Sequence, residues 1–309
     1  MSFMYNPFPF DDPRPVNRPE LSEKTVKSII SGGNQNVVKK FVATLADRAA
    51  KEGVVVALDG YTTANWTVFV NLIARECCLL GLGFEAIDAN AATLKSGKEI
   101  DAIIDPLLIW DTKIDPTLLY GKVYKGGYQG LMDEARTEAF KKAVPASRQA
   151  GKISVVYGYG SLIPELRELY DVKVFFDLTP MKSMLRIRRG EYSNLGKERP
   201  GIINRTIRRC YYCDFECAVR NRHELWENNV PDWYVLDNDP QNLQLMPFGT
   251  FSDICAQLVK YPFRAKPCYL EGVWGGSYMK KLRNLPDEMR NAAWVFDFIP
   301  MEVSVVVEA

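Results

Sequence analysis

Continuous apolar runs alternate along this chain with stretches in which apolar residues recur every three or four positions. The apolar runs lie at 54–58, 84–88, 153–157, 172–178 and 233–236. Helical spacing covers 22–51, with a break at 31–33, and then 66–80, 130–143, 162–169, 180–189, 201–226 and 251–260. Apolar strands that alternate with helices are typical of a parallel sheet whose two faces are both covered. The pattern therefore predicts an α/β fold of three layers, a parallel sheet with helices on both faces.

The start of the chain and one internal stretch depart from this alternation. Residues 1–21 form an irregular, Pro-rich arm without periodicity. Residues 91–128 contain two Asp-Pro pairs and clustered Gly and Tyr, which indicate loops and short helices. We expect the α/β domain itself to span 22–261.

The sequence after this domain changes to a short, β-rich character. A linker that begins at Pro262 leads to two runs of period two, at 294–298 and 301–308. We interpret 262–309 as a linker and an incomplete β segment. Such runs bury one face only against another surface, so we expect them to fold back on the domain or to pair in a homodimer.

Composition and charge mainly argue against certain classes of partner and location. Of the 309 residues 47% are hydrophobic and 25% charged, with a formal net charge of +1. This balance gives no reason to expect a nucleic-acid or membrane partner, and no apolar run reaches the roughly 18 residues of a spanning helix. The N-terminus lacks the order of a secretory signal, and the seven scattered cysteines are typical of a reduced, cytoplasmic protein.

Three of the cysteines share one helical face by their spacing. They are Cys210, Cys213 and Cys217. A soft metal could bind such thiols, but three ligands on one helix do not easily surround a tetrahedral ion. The other interpretation is that they are buried thiols, and the sequence favours it.

The junction of the first predicted strand and the next helix resembles a phosphate-binding loop. The loop pattern is Gly, four residues, Gly-Lys, then Ser or Thr, in which the Lys and the backbone N–H groups hold phosphates. Gly60 and Thr67 occupy the first and last positions. Asn65 stands in place of the second Gly, and Trp66 stands in place of the Lys. The sequence therefore predicts a phosphate cradle that has lost its cation.

The segment 155–189 carries a resemblance to a known family. It reads V-V-Y-G-Y-G-S-L-I-P-E-L-R-E-L-Y-D-V-K-V-F-F-D-L-T-P-M-K-S-M-L-R-I-R-R. Its order of strand, short helix, strand and helix closing on arginines is similar to the uridine kinase and phosphoribulokinase branch of P-loop kinases. W-Y-V-L-D-N at 233–238 resembles the last strand of that family. The resemblance implies a P-loop kinase fold with a degenerate Walker A loop and a Mg-nucleotide as cofactor.

The resemblance also implies a set of site residues. The phosphate-binding candidates are Gly60, Thr62, Thr63, Asn65, Trp66, Thr67, Arg186, Arg188, Lys197 and Arg199. Thr67 would be a weak Mg²⁺ ligand. The catalytic candidates are Asp88, as a base for a substrate hydroxyl, and Arg189, as a replacement for the lost lysine; Lys122 is the alternative cation.

Several of these residues have a purely structural interpretation beside the functional one. Asp88 would equally serve as the cap of the turn after its strand, and Asp59 is more typical of a turn former than of a catalyst. The arginines and lysines of 186–199 could form a solvated basic face. Tyr157 stands where the family has a Glu at the end of its strand.

Residues 268–308 resemble a second family, the type I mannose-6-phosphate isomerases. The shared features are Val273-Trp274-Gly275-Gly276 and a later Trp-containing strand. That family holds zinc with a Gln, a Glu and two His, whereas His223 is the single histidine of this sequence. We therefore expect no zinc site, and we interpret His223 as a surface or helix-packing residue.

Three functions follow from these patterns. The first is a kinase-fold protein of sugar-phosphate metabolism that binds a nucleotide or a sugar phosphate, with weakened or absent phosphotransferase activity. The second is an active nucleoside or sugar kinase with an atypical loop, and the third is a partial isomerase. The sequence does not name the ligand, because 91–128 would supply most of its pocket.

Overall fold

The structure, a computed structural model, describes residues 20–113, 121–260, 265–267 and 298–300. The predicted arm at 1–21 and the segment at 262–309 therefore lie almost entirely outside the described residues. So do the greater part of the isomerase-like resemblance and the runs proposed to pair in a dimer.

The first part of the chain follows the predicted order of elements. The elements are α1 (Glu23–Lys27), α2 (Asn34–Glu52), β1 (Val54–Gly60) and α3 (Thr67–Leu79). The predicted break at 31–33 separates α1 from α2. Every residue of β1 is buried, as the apolar run predicts.

The middle part holds three more strands of the sheet and the short helices expected in 91–128. The elements are β2 (Gly83–Asp88), α4 (Ala89–Thr93), α5 (Gly97–Ile104), α6 (Glu134–Ala146), β3 (Lys152–Tyr157) and β4 (Val172–Asp177). A capping box between Ser96 and Glu99 begins α5. The helix expected at 162–169 is reduced to a 3₁₀ turn at Arg167–Leu169.

The remaining elements complete the sheet. They are α7 (Pro180–Arg188), α8 (Ile203–Arg209), α9 (Phe215–Glu227), β5 (Trp233–Leu236), β6 (Gln244–Pro247) and α10 (Phe248–Leu258). A π-helical turn at Cys210–Asp214 joins α8 to α9, so the predicted helix at 201–226 is continuous but locally widened. The sequence did not predict β6. Two short strands, β7 (Ala265–Pro267) and β8 (Phe298–Pro300), pair antiparallel.

The six-stranded sheet is parallel except at one edge. Its order is β2-β3-β1-β4-β5-β6, and only β6 runs antiparallel, against β5. In the register, Ala57 lies between Val156 of β3 and Lys173 of β4. The mostly parallel α/β architecture confirms the fold class predicted from the sequence.

Aromatic contacts show that helices cover both faces. Phe175 and Phe176 are adjacent on β4 and so point to opposite faces of the sheet. Phe175 packs against Trp226 of α9 at 4.8 Å, and Phe176 packs against Phe69 of α3 at 5.2 Å between ring centroids. The sheet is therefore the middle of three layers.

The described chain divides into two compact units. Residues 28–178 and 182–249 form one unit, which holds the whole six-stranded sheet. The other unit takes in α1, most of α10 and the β7–β8 pair. None of the helices within the described ranges is long and apolar enough to cross a membrane.

Replacing Phe69 by Ala should lower the free energy of unfolding by about 3–5 kcal/mol, the usual cost of truncating a buried aromatic ring. Phe69 is fully buried and lies 5.5 Å from the ring of Phe41 as well as against Phe176. The matched control is Leu79→Ala in the same helix, where the side chain is 68% exposed. That change should stay within about 0.5 kcal/mol. Urea denaturation measures both, and equal losses would contradict the assigned packing of α3.

Candidate functional site

The carboxyl ends of the central strands meet at one edge of the sheet, where ligands of open α/β sheets bind. The chain leaves β1 toward β2 on one side, and leaves β4 toward β5 on the other side. The order therefore switches direction between β1 and β4, which are neighbours. The Gly60–Thr67 loop follows β1 at this switch point, as the sequence predicts.

The Gly60–Thr67 loop is tightly folded onto the strand beside it. The N–H of Tyr61 donates to the carbonyl of Phe176 at 2.9 Å, and the N–H of Ala64 donates to the carbonyl of Tyr61 at 2.9 Å. A Cβ on Gly60 would lie 2.6 Å from the Cβ of Ala64, so only glycine fits there. The loop backbone is thereby fixed by contacts within the protein.

Trp66, at the position of the missing lysine, is part of the apolar core. Only 9% of its surface is exposed, and its ring lies 4.8 Å from that of Tyr159. Its indole N–H is 3.4 Å from the carbonyl of Asp59. The side chain at this position of the loop therefore packs inside the protein and carries no charge.

An internal carboxylate binds the loop where an anion was expected. The N–H of Asn65 donates to Asp237 Oδ2 at 3.0 Å. Arg186 holds both oxygens of the same carboxylate, at 2.8 and 2.9 Å, and also donates to the carbonyl of Thr63 at 2.9 Å. Arg186 and Asp237 are almost completely buried. Burial raises the pKa of Asp237, although the Arg186 guanidinium acts against that rise.

The hydroxyl groups of the loop are divided between internal bonds and solvent. Thr62 donates to the carbonyl of Asp214 at 3.2 Å, and Ser183 donates to the carbonyl of Thr62 at 2.8 Å. The hydroxyl of Thr63 is buried without a hydrogen-bond partner among the described residues. Thr67, the weak Mg²⁺ candidate, is exposed at the start of α3, and its N–H donates to Asn65 Oδ1 at 3.0 Å.

Asp59 joins three elements at the end of β1. Its carboxylate is fully buried and accepts hydrogen bonds from the N–H of Gly60 at 2.7 Å, Gly160 at 3.0 Å and Leu162 at 2.9 Å. The fourth donor is the Asn221 side chain of α9, at 2.9 Å. Burial raises the pKa of Asp59 to about 6, against the lowering effect of these bonds. Asp59 is thus more than a local turn former, because it ties β1 to the loop after β3 and to α9.

Two further aspartates add negative charge to this edge. Asp177, at the end of β4, accepts from Arg222 at 3.1 Å and from the Tyr234 hydroxyl at 3.2 Å, and burial raises its pKa. Asp214, in the π-helical turn, accepts from the hydroxyl of Tyr192 at 2.9 Å. Together with Asp59 and Asp237 they place four buried carboxylates around the loop. Asp237 and Asp177 are balanced by Arg186 and Arg222, so the excess negative charge that disfavours an added anion comes from Asp59 and Asp214.

The basic residues expected to close over phosphates lie mostly in ion pairs. Arg189 donates to both oxygens of Glu191, at 2.5 and 3.1 Å. Lys197 pairs with Asp101 of α5, which also accepts from Arg209 at 2.6 Å. Arg188 lies on the last turn of α7. Arg199 is exposed and makes no ion pair with the described residues, and the side chain of Lys122 is likewise exposed.

Asp88 acts as a helix cap. It ends β2, the edge strand separated from β1 by β3, and its Oδ1 accepts from the N–H of Ala91 at 2.9 Å. It is therefore the N-cap of α4, one of the two interpretations that the sequence left open. Tyr157, at the end of β3, is half-buried, and burial raises its pKa.

The three thiols of the 201–226 segment are buried, whereas the histidine is exposed. Cys210, Cys213 and Cys217 are buried, and the pKa of Cys213 is raised by a hydrogen bond with the Cys217 thiol and by burial. His223 is exposed, 3.2 Å from Glu227 one turn later. Within the described ranges, no three His, Cys, Asp or Glu side chains are placed to hold a metal ion.

Sequence reasoning missed the residue that binds the loop most directly, Asp237. Its signal was its place immediately after a predicted strand, in W-Y-V-L-D-N, where side chains of parallel sheets reach the ligand edge. Asp214 and Asn221 carried no comparable signal, because both lie inside a long helical pattern.

Breaking the buried ion pair should destabilise the protein strongly. We expect Asp237→Ala to cost about 3–5 kcal/mol, because it leaves the Arg186 guanidinium buried without a counter-ion. Asp237→Ala combined with Arg186→Met should cost less than the sum of the two single changes. Urea denaturation of the four proteins measures the coupling. The control pair is Lys27 and Glu23, 78% and 88% exposed, which should show no resolvable coupling. Additive costs for Arg186 and Asp237 would contradict the pairing.

Asp59 should make a pH-dependent contribution to stability. Its pKa is about 6 in the folded protein and near the ordinary 3.8 when unfolded. The folded state therefore holds more protons between these values, so the contribution of Asp59 to the free energy of unfolding falls as the pH rises through that interval. The unfolding free energy of the wild type minus that of Asp59→Asn, measured with urea at about pH 4, 5, 6, 7 and 8, should fall as the pH rises and level only above about pH 7. A difference that grows with pH would show that the native carboxyl is the stronger acid.

Comparison with known proteins adds the wider setting. No curated protein matches the chain. Among solved structures it is similar to a candidate fructose transport system kinase from Silicibacter sp. TM1040, with 14% identity over 62% of this chain and 94% of that chain and a TM-score of 0.40. Phosphoribulokinase from Rhodobacter spheroides gives 11% identity, 59% and 69% coverage and a TM-score of 0.36. A possible uridine kinase from Bacillus stearothermophilus gives 11% identity over 64% of this chain and 95% of that chain, with a TM-score of 0.35.

A family model covers the part of the chain that contains the sheet and its carboxyl edge. The family is described as "Domain of unknown function (DUF8485)", and its model matches residues 38–260, well over half of the chain. All six strands of the sheet and the Gly60–Thr67 loop fall within that match. The chain therefore belongs to the DUF8485 family.

Proposed function

We propose that this protein binds a small phosphorylated molecule on a kinase-like fold and does not transfer phosphoryl groups. The observation that carries the proposal is the contact of the Asn65 N–H with Asp237, which Arg186 holds in place. An internal carboxylate thereby occupies a loop donor that a kinase needs for its nucleotide.

Phosphoryl transfer depends on positive charge placed on the transferred group. In the Gly60–Thr67 loop the cation position holds Trp66, and its ring is buried against Tyr159. Loss of one fixed transition-state donor in a dry site costs about 3–4 kcal/mol. The surrounding buried carboxylates would add to that cost, because they repel the phosphates of a nucleotide.

A Mg-nucleotide does not fit the residues present in this loop. A triphosphate would have to displace Asp237, and this would leave the Arg186 guanidinium without its buried partner. Thr67 alone would remain as a ligand for Mg²⁺, on the exposed first residue of α3. The proposed ligand therefore binds outside the loop.

The contacts of the basic residues argue against an active kinase with a replacement cation. Arg189 is exposed and forked onto Glu191, so recruiting it to a phosphate would break that pair. The isomerase alternative draws no support from the described residues, since its segment lies outside them.

Isothermal titration with Mg-ATP and Mg-ADP tests the proposal. We expect no saturable binding below about 1 mM, since nothing in the loop neutralises the phosphates. We also expect no ADP release when Mg-ATP is supplied with uridine or with a sugar phosphate.

Binding in the low micromolar range, or turnover that Arg189→Ala or Lys122→Ala abolishes, would overturn this function in favour of the active kinase. Lys39→Ala, at an exposed position of α2, is the control for loss of a surface charge.

A further inference from the structure

A groove of about 280 Å³ lies between α9 and two loops, at 125–129 and 163–164. One wall is formed by α9, through the adjacent Arg220 and Asn221 and through Glu224 one turn later. The groove lies beside the fixed end of β1, because Asn221 donates to Asp59. It does not include the Gly60–Thr67 loop, so its chemistry is independent of Trp66.

Positive charge concentrates at one end of the groove. Lys125 is exposed, and its ammonium pairs with no carboxylate of the described residues. Arg220 donates to the carbonyl of Lys125 at 2.8 Å, which fixes the loop against α9. The nearest carboxylate of Arg220, that of Glu216, is 3.8 Å away and half-exposed. Both cations therefore remain available to an anion.

The glycines of the 125–129 loop expose its backbone to the groove. A Cβ on Gly126 would collide with the hydroxyl of Tyr124, so this position requires glycine. Gly127 has a φ of 62°, in the left-handed region, and the right-handed Tyr128 follows it. Neither Gly126 nor Gly127 donates its N–H to another described residue. Free N–H groups on such a turn are typical of a small anion-binding concavity.

Glu224 supplies a different chemistry on the same wall. Its Oε1 accepts from Arg167 at 2.7 Å, whereas its Oε2 is buried without a hydrogen-bond partner among the described residues. The Glu224 side chain is 31% exposed and lines the groove, where its carboxylate can accept a hydrogen bond from a hydroxyl group of a ligand. The groove thus combines an anion-binding end with a hydroxyl-binding side.

We propose that this groove is a binding site for a small phosphate monoester with free hydroxyl groups, the class of a monosaccharide phosphate. The phosphate would lie against Lys125, Arg220 and the N–H groups of Gly126 and Gly127, and a hydroxyl would donate to Glu224. The volume lies just below the about 300–1,000 Å³ usual for ligand pockets, which suits one sugar ring better than a nucleoside triphosphate. The assignment rests on the proposed function and gives it a place and a ligand class.

Titration of the full chain with glucose 6-phosphate, ribose 5-phosphate, inorganic phosphate and glucose tests the site. At least one sugar phosphate should bind more tightly than inorganic phosphate, and glucose should bind least. Lys125→Ala should weaken both sugar phosphate and inorganic phosphate roughly tenfold, the effect of one charge-assisted contact. Glu224→Gln should weaken the sugar phosphate alone, because inorganic phosphate does not reach that side.

Lys39→Ala controls for the loss of one surface charge, and circular dichroism verifies that each variant is folded. Absence of sugar-phosphate binding at millimolar concentration, or binding that Lys125→Ala and Glu224→Gln leave unchanged, would overturn the site. Neither result would by itself show that the protein transfers phosphoryl groups. Conversely, tight Mg-ATP binding or turnover would overturn the absence of transfer while the groove variants still report on sugar-phosphate binding.

Discussion

Burial of the Asp59 carboxylate at the end of β1 is the constraint around which this edge of the sheet is arranged. A buried carboxylate has to find donors within the protein, because water does not reach it. The loop after β3 turns the N–H groups of Gly160 and Leu162 toward it, and α9 contributes Asn221. These bonds tie the loop after β3 and α9 to the end of β1, and Arg220 and Glu224 of that helix form a wall of the groove.

A second buried carboxylate, that of Asp237, likewise determines the contacts of the Gly60–Thr67 loop. Asp237 directly follows β5, and its charge is balanced by Arg186 and the N–H of Asn65. The loop leads from β1 into α3, and the anion in contact with it belongs to the protein. The loop is held by such bonds and by the packing of Trp66 in the core, while the Thr63 hydroxyl is buried without a partner among the described residues.

Charge is therefore distributed unevenly around the carboxyl edge. Buried aspartates surround the Gly60–Thr67 loop, whereas the available cations Lys125 and Arg220 lie at the groove beyond α9. A phosphorylated ligand would be repelled from the first region and attracted to the second. The proposed loss of transfer and the proposed binding site are two consequences of this one distribution.

The sequence by itself determined the sheet and its covering helices, because apolar runs and helical spacing are local signals that core burial preserves. It also located the loop between β1 and α3, since such a junction is signalled by neighbouring residues, whereas a phosphate-binding role of that loop stays a prediction. The sequence indicated a phosphate-binding role for the arginines, but the tertiary structure determines which partners they contact. Arg186 and Asp237 are 51 residues apart, and Asp59 and Asn221 are 162 apart. Whether a charged side chain meets a ligand or an internal partner depends on which distant residues the fold brings within about 3 Å, and no local pattern records that. The groove likewise forms only when α9 packs beside the 125–129 loop, so the sequence alone does not predict it.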